Sequence, residues 1–210
     1  MSQESKAVVP PDKQAMRRHL RAQRRSLAPQ RSRGLDALAI AAALSTLLDD
    51  LTVSPPSAPG EQQPHDGQLC VAIYRSLPTE PPTEALAEML HGRGVRVIVP
   101  EMLADRDLDW HDLRADGSEG PALGCQAVAD ARLILVPALA VDHLGTRLGQ
   151  GGGSYDRALA RRRDAVIVAL VNDEEYAERR LPREAHDIRV DALITAGGGF
   201  RKIPKDPSAS

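Results

Sequence analysis

The sequence holds only two cysteines, five aromatic residues (Tyr74, Trp110, Tyr155, Tyr176 and Phe200) and four lysines. Nor does it contain an apolar run of the roughly 18 residues that a membrane-spanning helix needs. Cys70 and Cys125 each stand alone in sequence, which excludes a disulfide framework, a CxxC redox pair and a cysteine zinc site; both are expected to be buried as small hydrophobes. So few aromatics cannot furnish a base-stacking surface. The formal charge of -2, from 27 Lys plus Arg against 29 Asp plus Glu, supplies no basic field either. Neither nucleic acid nor a membrane is therefore expected as a partner. The opening MSQESKAVVPPDK has no apolar stretch after its charges, so no secretory signal is read and a cytoplasmic location is expected. Self-similarity at a period of about 20 to 50 residues is also missing, which excludes a solenoid.

What is present fits one domain of 210 residues. Residues 1–11 read as a flexible tail, 12–200 as a single α/β domain and 201–210 as a second tail. Residues 52–68 are rich in proline and glycine and nearly free of apolar side chains; they read as a surface loop whose removal is expected to leave activity intact. A helix is predicted from Asp12, which can cap it, through Met16, Leu20 and Leu27, with Pro29 interrupting. A second helix is predicted over 35–48, with Leu35, Leu38, Ala42, Leu44, Leu47 and Leu48 on one broad face.

Beyond residue 68 the pattern changes. Short apolar runs at 69–74, 95–99, 133–136, 165–171 and 192–195 are nearly continuous rather than alternating, as in strands buried on both faces of a parallel sheet. Helical segments at 83–93 and 155–163 lie between them. The alternation predicts an α/β fold, a three-layer α/β/α architecture with a mostly parallel sheet, and ligand sites at the carboxyl ends of the strands.

The segment DHLGTRLGQGGGSYDR carries the strongest chemical signal. Gly149, Gly151, Gly152 and Gly153 remove the side chains that would keep a backbone from wrapping a ligand. Successive N–H groups can then form an anion nest ending at a helix N-terminus. The run is neither a Walker A loop nor a dinucleotide fingerprint. Arg147 before it can clamp phosphate oxygens. Asp156 after it would repel a phosphate unless a divalent cation lay between, so the set suggests a magnesium nucleotide; alternatively Asp156 complements a helix dipole.

Three further features place charged or polar side chains where a ligand could meet them. Between Lys13 and Arg33 there are eight basic residues and no acid, with Lys13, Arg17 and Arg21 on one helical face. Such a stripe repels itself, so something anionic is expected opposite part of it, a polyphosphate or a polyglutamate, unless the face is simply solvated or touches RNA. The loop after the first strand, with Arg75, Glu80 and Thr83, lies where a ligand is expected; Glu80 can accept N–H donors of a heterocycle, and Thr83 is predicted to cap the next helix. His186 and Asp187 precede the last strand without a serine or a metal-spaced histidine set to accompany them.

These residues resemble the 5-formyltetrahydrofolate cyclo-ligase family, also called methenyltetrahydrofolate synthetases. RLGQGGGSYDR is similar to its signature, and Lys13 to Arg17, Glu80 to Thr83, Gly94 to Val97, Leu181-Pro182 and His186-Asp187 follow in the family's order. The resemblance implies a sheet of the sugar-phosphate isomerase kind, related to Rossmann folds. It also implies an ATP- and Mg²⁺-dependent cyclisation of 5-formyltetrahydrofolate to 5,10-methenyltetrahydrofolate, with the γ-phosphoryl group passing to the formyl oxygen before N10 attacks. On that resemblance Lys13, Arg17, Arg147, Gly149, Gly151, Gly152, Gly153 and Tyr155 would hold ATP. Arg75, Glu80, Gln150 and Ser154 would contact the folate, Asp156 and Asp187 would hold Mg²⁺, and Arg147 and Asp156 would be catalytic. A monomer is expected. Ser154 stands where the family usually has an aromatic and Arg75 where it has an apolar residue. The former leaves a second possibility, a paralogue that binds folate or nucleotide without turnover.

Overall fold

The computed structural model describes residues 12–53 and 68–204, so the N-terminal tail, most of the proline-rich loop and the last six residues lie outside the described residues. Five strands form the parallel centre of the sheet: β1 (Cys70–Ala72), β2 (Arg96–Met102), β5 (Leu133–Pro137), β8 (Val166–Leu170) and β10 (Ala192–Thr195). They pair in the order β10-β8-β5-β1-β2, all parallel. These are the five apolar runs of the sequence.

Antiparallel edges extend the sheet to eight strands. β3 (Leu108–Leu113) and β4 (Glu119–Ala122) add beyond β2, and β11 (Gly199–Lys202) adds beyond β10. β11 corrects the expected start of the C-terminal tail: Arg201 and Lys202 pair with β10, and Ile203 is buried, so the chain is held one strand further than its polar sequence suggests.

Four helices are described: α1 (Lys13–Leu27), α2 (Arg33–Val53), α3 (Glu84–Gly92) and α4 (Ser154–Leu159). α2 and α3 cover one sheet face, packing Ile40, Leu44, Leu48, Leu86 and Leu90 on Val71, Val97, Val99, Leu133 and Leu135. The other face carries Ala72, Ile98, Ile134, Val136 and Ile167 against α4 and a 3-10 turn at Cys125–Asp130. Burial on both faces gives the three layers that the runs predict.

Asp12 caps α1 as expected, its Oδ1 accepting the Gln14 N–H at 3.1 Å, and a 3-10 turn at Ala28–Gln30 carries the interrupting Pro29. Four expectations are corrected. α2 runs on to Val53, so residues 52 and 53 are helical. Leu35 and Leu38 are 68% and 64% exposed, because a helix apolar on nearly every side gives no period from which to choose the buried face. Thr83 sits at the N-cap of α3 but makes no capping bond; its hydroxyl instead donates to the Tyr74 carbonyl at 2.8 Å and accepts the Ser76 N–H at 3.3 Å. Cys125 is only partly buried, whereas burial pushes the Cys70 thiol up to about 12.

A second, three-stranded sheet of β6 (Ala140–Asp142), β7 (Arg147–Leu148) and β9 (Tyr176–Ala177) leads from β5 into the glycine loop. α1 lies on it through Met16 and Leu20 against Ala140, Leu148, Ala177 and Leu181. Among the described residues no helix is long and apolar enough to cross a membrane.

Candidate active site

The glycine loop is held at both ends. At its start, the buried Asp142 carboxylate ties the β6–β7 turn by accepting N–H groups from Leu144 (3.0 Å), Thr146 (2.8 Å) and Leu181 (2.8 Å). At its end α4 begins on Gly153, whose φ of +69° lies in the left-handed region that favours glycine; Gly151 has φ +103°.

α1 grips the loop between these points. Arg17 donates from Nε to the Gly149 carbonyl at 3.0 Å, and Arg21 bonds both the Gln150 carbonyl and its side-chain Oε1 at 2.8 Å. Because each trans peptide unit is planar, a carbonyl turned toward α1 turns the N–H of the next residue away. Gln150 and Gly151 therefore present their donors to the opposite side of the loop. The basic stripe thus meets carbonyl oxygens here, not only carboxylates. Gln150 itself is exposed and engaged by α1.

The two expected metal carboxylates each face one expected phosphate cation. Arg147 is buried and bonds Asp156 Oδ1 at 2.7 Å through Nη2; Asp156 also accepts from the Ile188 N–H at 3.4 Å. Lys13 Nζ lies 2.8 Å from Asp187 Oδ2 and 2.9 Å from Glu184 Oε1. Burial works against both charges, but the Glu184 N–H and Lys13 hold Asp187 below the usual carboxylate range, and Asp187 with Glu184 holds Lys13 above its usual value. His186 is exposed, 3.4 Å from Glu184 and 3.7 Å from Asp187.

Two buried donors in this loop make no hydrogen bond among the described residues: Ser154 Oγ and Arg147 Nε. A buried donor without a partner is costly, and both of these lie within the segment that runs from β7 into α4. Tyr155 packs into the core on both faces of the sheet, its ring centre 5.9 Å from the Arg147 guanidinium, and burial pushes its hydroxyl upward.

Glu80 lies beyond the carboxyl end of β1 and is buried. Its Oε2 accepts the Leu77 N–H at 3.0 Å, and its Oε1 is 3.7 Å from Arg24 Nη1. Arg75 stands apart from this set, with Nε 2.7 Å from Glu119 on β4. Sequence reasoning missed Arg24 and Glu175, whose buried pair anchors the α1 stripe at its far end. Arg24 carried no separate signal within a run of arginines, and Glu175 lies far from it in sequence.

Fold and site together define an α/β protein with a mostly parallel central sheet and a glycine-rich loop gripped by its first helix. The sequence model of the 5-formyltetrahydrofolate cyclo-ligase family matches residues 9–196, and the chain belongs to that family, whose members are enzymes. It is 33% identical over 146 residues to a 5-formyltetrahydrofolate cyclo-ligase of Mycolicibacterium smegmatis, covering 62% of this chain and 75% of the relative. A cyclo-ligase of Escherichia coli K12 is 30% identical over 146 residues, covering 60% and 76%. The fold is similar to the NMR structure of a 5,10-methenyltetrahydrofolate synthetase from Aquifex aeolicus. That likeness has a TM-score of 0.68 at 24% identity and covers 94% of this chain and 96% of the other.

Proposed function

We propose that this enzyme cyclises 5-formyltetrahydrofolate to 5,10-methenyltetrahydrofolate with ATP and Mg²⁺, releasing ADP and phosphate, as a cytoplasmic protein. The observation that carries the nucleotide half is the loop at 147–156, where buried donors on Arg147 and Ser154 have no hydrogen-bond partner among the described residues and α1 turns backbone N–H groups away from itself.

The residues present also fit a magnesium ion. Asp156 and Asp187 are hard oxygen donors on neighbouring chain segments, since the Ile188 N–H reaches Asp156. No group of three or more metal-binding side chains occurs among the described residues, which suits an ion that takes one or two carboxylates and fills its shell with phosphate oxygens and water. When bound, Mg²⁺ would neutralise charge on the transferring phosphoryl group. Arg147 and Lys13 would then exchange their carboxylate partners for phosphate oxygens, and the loop N–H groups would fix the γ-phosphate. Glu80 would orient the folate by accepting N–H bonds from its heterocycle. The buried Tyr74 and the half-buried Tyr155 would help keep water from this region. Phosphoryl transfer depends on positioning and charge neutralisation, so the chain needs no nucleophilic side chain.

Asp156→Asn tests this reading. The variant should keep its fold and lose Mg²⁺-dependent appearance of the methenyltetrahydrofolate chromophore by about a hundredfold or more; unaltered turnover would remove Asp156 from the metal site. Ser154 supports one other reading, the binding paralogue: if the unmodified protein binds ATP or folate and forms no product, that account is the better one.

A further inference from the structure

Arg24 occupies the point where three neighbouring strand ends meet. Its Nη2 donates to the Ala138 carbonyl, just past β5, at 2.5 Å, and Nε and Nη2 hold the two oxygens of Glu175, past β8, at 2.6 Å each. Its remaining Nη1 faces Glu80, past β1, at 3.7 Å. β8, β5 and β1 are consecutive in the sheet, and the chain runs on from β1 to β2 on one side and from β5 to β8 on the other. The crevice between β1 and β5 is the switch point at which doubly wound sheets take ligands.

The charge count there is uneven. Arg24, Glu175 and Glu80 are 4%, 5% and 7% exposed, so one buried guanidinium serves two buried carboxylates. Glu175 is saturated: besides Arg24 it accepts the Asn172 backbone N–H at 2.8 Å and the Asn172 side-chain N–H at 3.0 Å. Glu80 takes one backbone N–H and a cation beyond direct hydrogen-bond reach. A carboxylate has about four acceptor positions. Glu80 is thus held in place while still able to accept donors.

We propose that Arg24 is a positioning residue for folate binding. Glu175 locks its guanidinium across the ends of β5 and β8, and the locked cation holds the Glu80 carboxylate in place for the N–H donors of the heterocycle. This rests on the reading of Glu80 as the heterocycle contact. Arg24 touches neither ligand in this scheme; it acts through Glu80.

The test compares three proteins with the parent: R24Q/E175Q, which removes the locked pair's charges together and leaves no single buried charge at those two positions, E80Q, and the combination of both. Each is titrated with 5-formyltetrahydrofolate in the absence of ATP, and separately with ATP. R24Q/E175Q should weaken 5-formyltetrahydrofolate about tenfold or more and leave ATP within about twofold. E80Q should show the same selective loss, and the combined variant should bind no worse than E80Q alone. If the two losses add, or if R24Q/E175Q weakens both ligands alike, Arg24 is only a structural tie and the proposal fails. If E80Q binds 5-formyltetrahydrofolate as the parent does, the reading of Glu80 is what fails and takes the proposal with it. R24K provides a second arm should R24Q/E175Q not fold. Keeping the cation without its fork should lower stability but hold 5-formyltetrahydrofolate affinity within about threefold; an equal loss of both ligands in R24K overturns the proposal.

Discussion

Gly145→Ala is the most stringent check of how the site is braced. Gly145 closes the turn between β6 and β7 with φ +80°, and a Cβ built there would lie 2.4 Å from the Val190 carbonyl oxygen. That oxygen cannot easily retreat, because the Val190 N–H donates to the Gly145 carbonyl at 2.9 Å and Val190 is buried. Two costs therefore add. Left-handed backbone in alanine costs about 1 to 2 kcal/mol, and parting two bonded backbones about 1 to 3 kcal/mol more. Gly94→Ala isolates the first: Gly94 has φ +69° but nothing within 4 Å of its Cβ position. The single tryptophan, Trp110, is 1% exposed, so its fluorescence reports global unfolding in urea. Gly94→Ala should lose about 1 kcal/mol. Gly145→Ala should lose about 3 kcal/mol or more, with an unchanged denaturant slope. Equal losses in the two variants would refute the claim that the Val190 contact braces the turn.

Asp107→Asn should reveal a pH-dependent tie between the β2–β3 hairpin and the turn that follows α4. Arg161, bonded to Asp107 at 2.8 Å, outweighs partial burial and holds the carboxylate at about 2. Because the folded value lies below the unfolded one, the tie contributes fully above about pH 4 and is lost as the pH falls through about 2. Discounted for its place near the surface, it should be worth about 1 kcal/mol at pH 6, and urea midpoints for parent and variant should converge toward pH 2. Arg21→Ala should weaken ATP about tenfold by releasing the Gln150 carbonyl without altering how steeply that affinity falls with salt; a flatter salt dependence would mean that Arg21 meets phosphate directly.

The parts of the fold that were legible in sequence are those buried on both sides. The five parallel strands carry unbroken apolar runs because helices or turns cover each face, whereas β3, LDWHDL, buries Leu108 and Trp110 on one sheet face and Leu113 on the other, with the residues between them less buried. One Leu-x-Trp repeat is too short to set a period, so no strand is predicted there from sequence. β11 offered no sign either, since Gly-Phe-Arg-Lys is fixed by pairing with β10 and by Ile203 beyond it rather than by its own pattern. For α2 the difficulty was the reverse: an excess of leucine and alanine hid which side faces the sheet.

The site divides along a different line, between residues that announce a chemistry and residues that acquire one from a distant partner. The glycine loop with Arg147 and Asp156 is contiguous, so its character survives in the sequence. The α1 stripe was readable only as an unexplained charge, because what answers it is scattered over the chain: Asp187 and Glu184 for Lys13, two loop carbonyls for Arg17 and Arg21, and Glu175 with Glu80 for Arg24. These partners come from four separate segments of the chain: the one holding Glu184 and Asp187, the glycine loop, the turn with Glu175 after β8, and the loop with Glu80 after β1. A helix that spends its cations on carbonyls and carboxylates, not on solvent, aligns those loops before any ligand arrives. The entropy of ordering them is then met largely in folding, which is the economy expected of an enzyme whose chemistry rests on position.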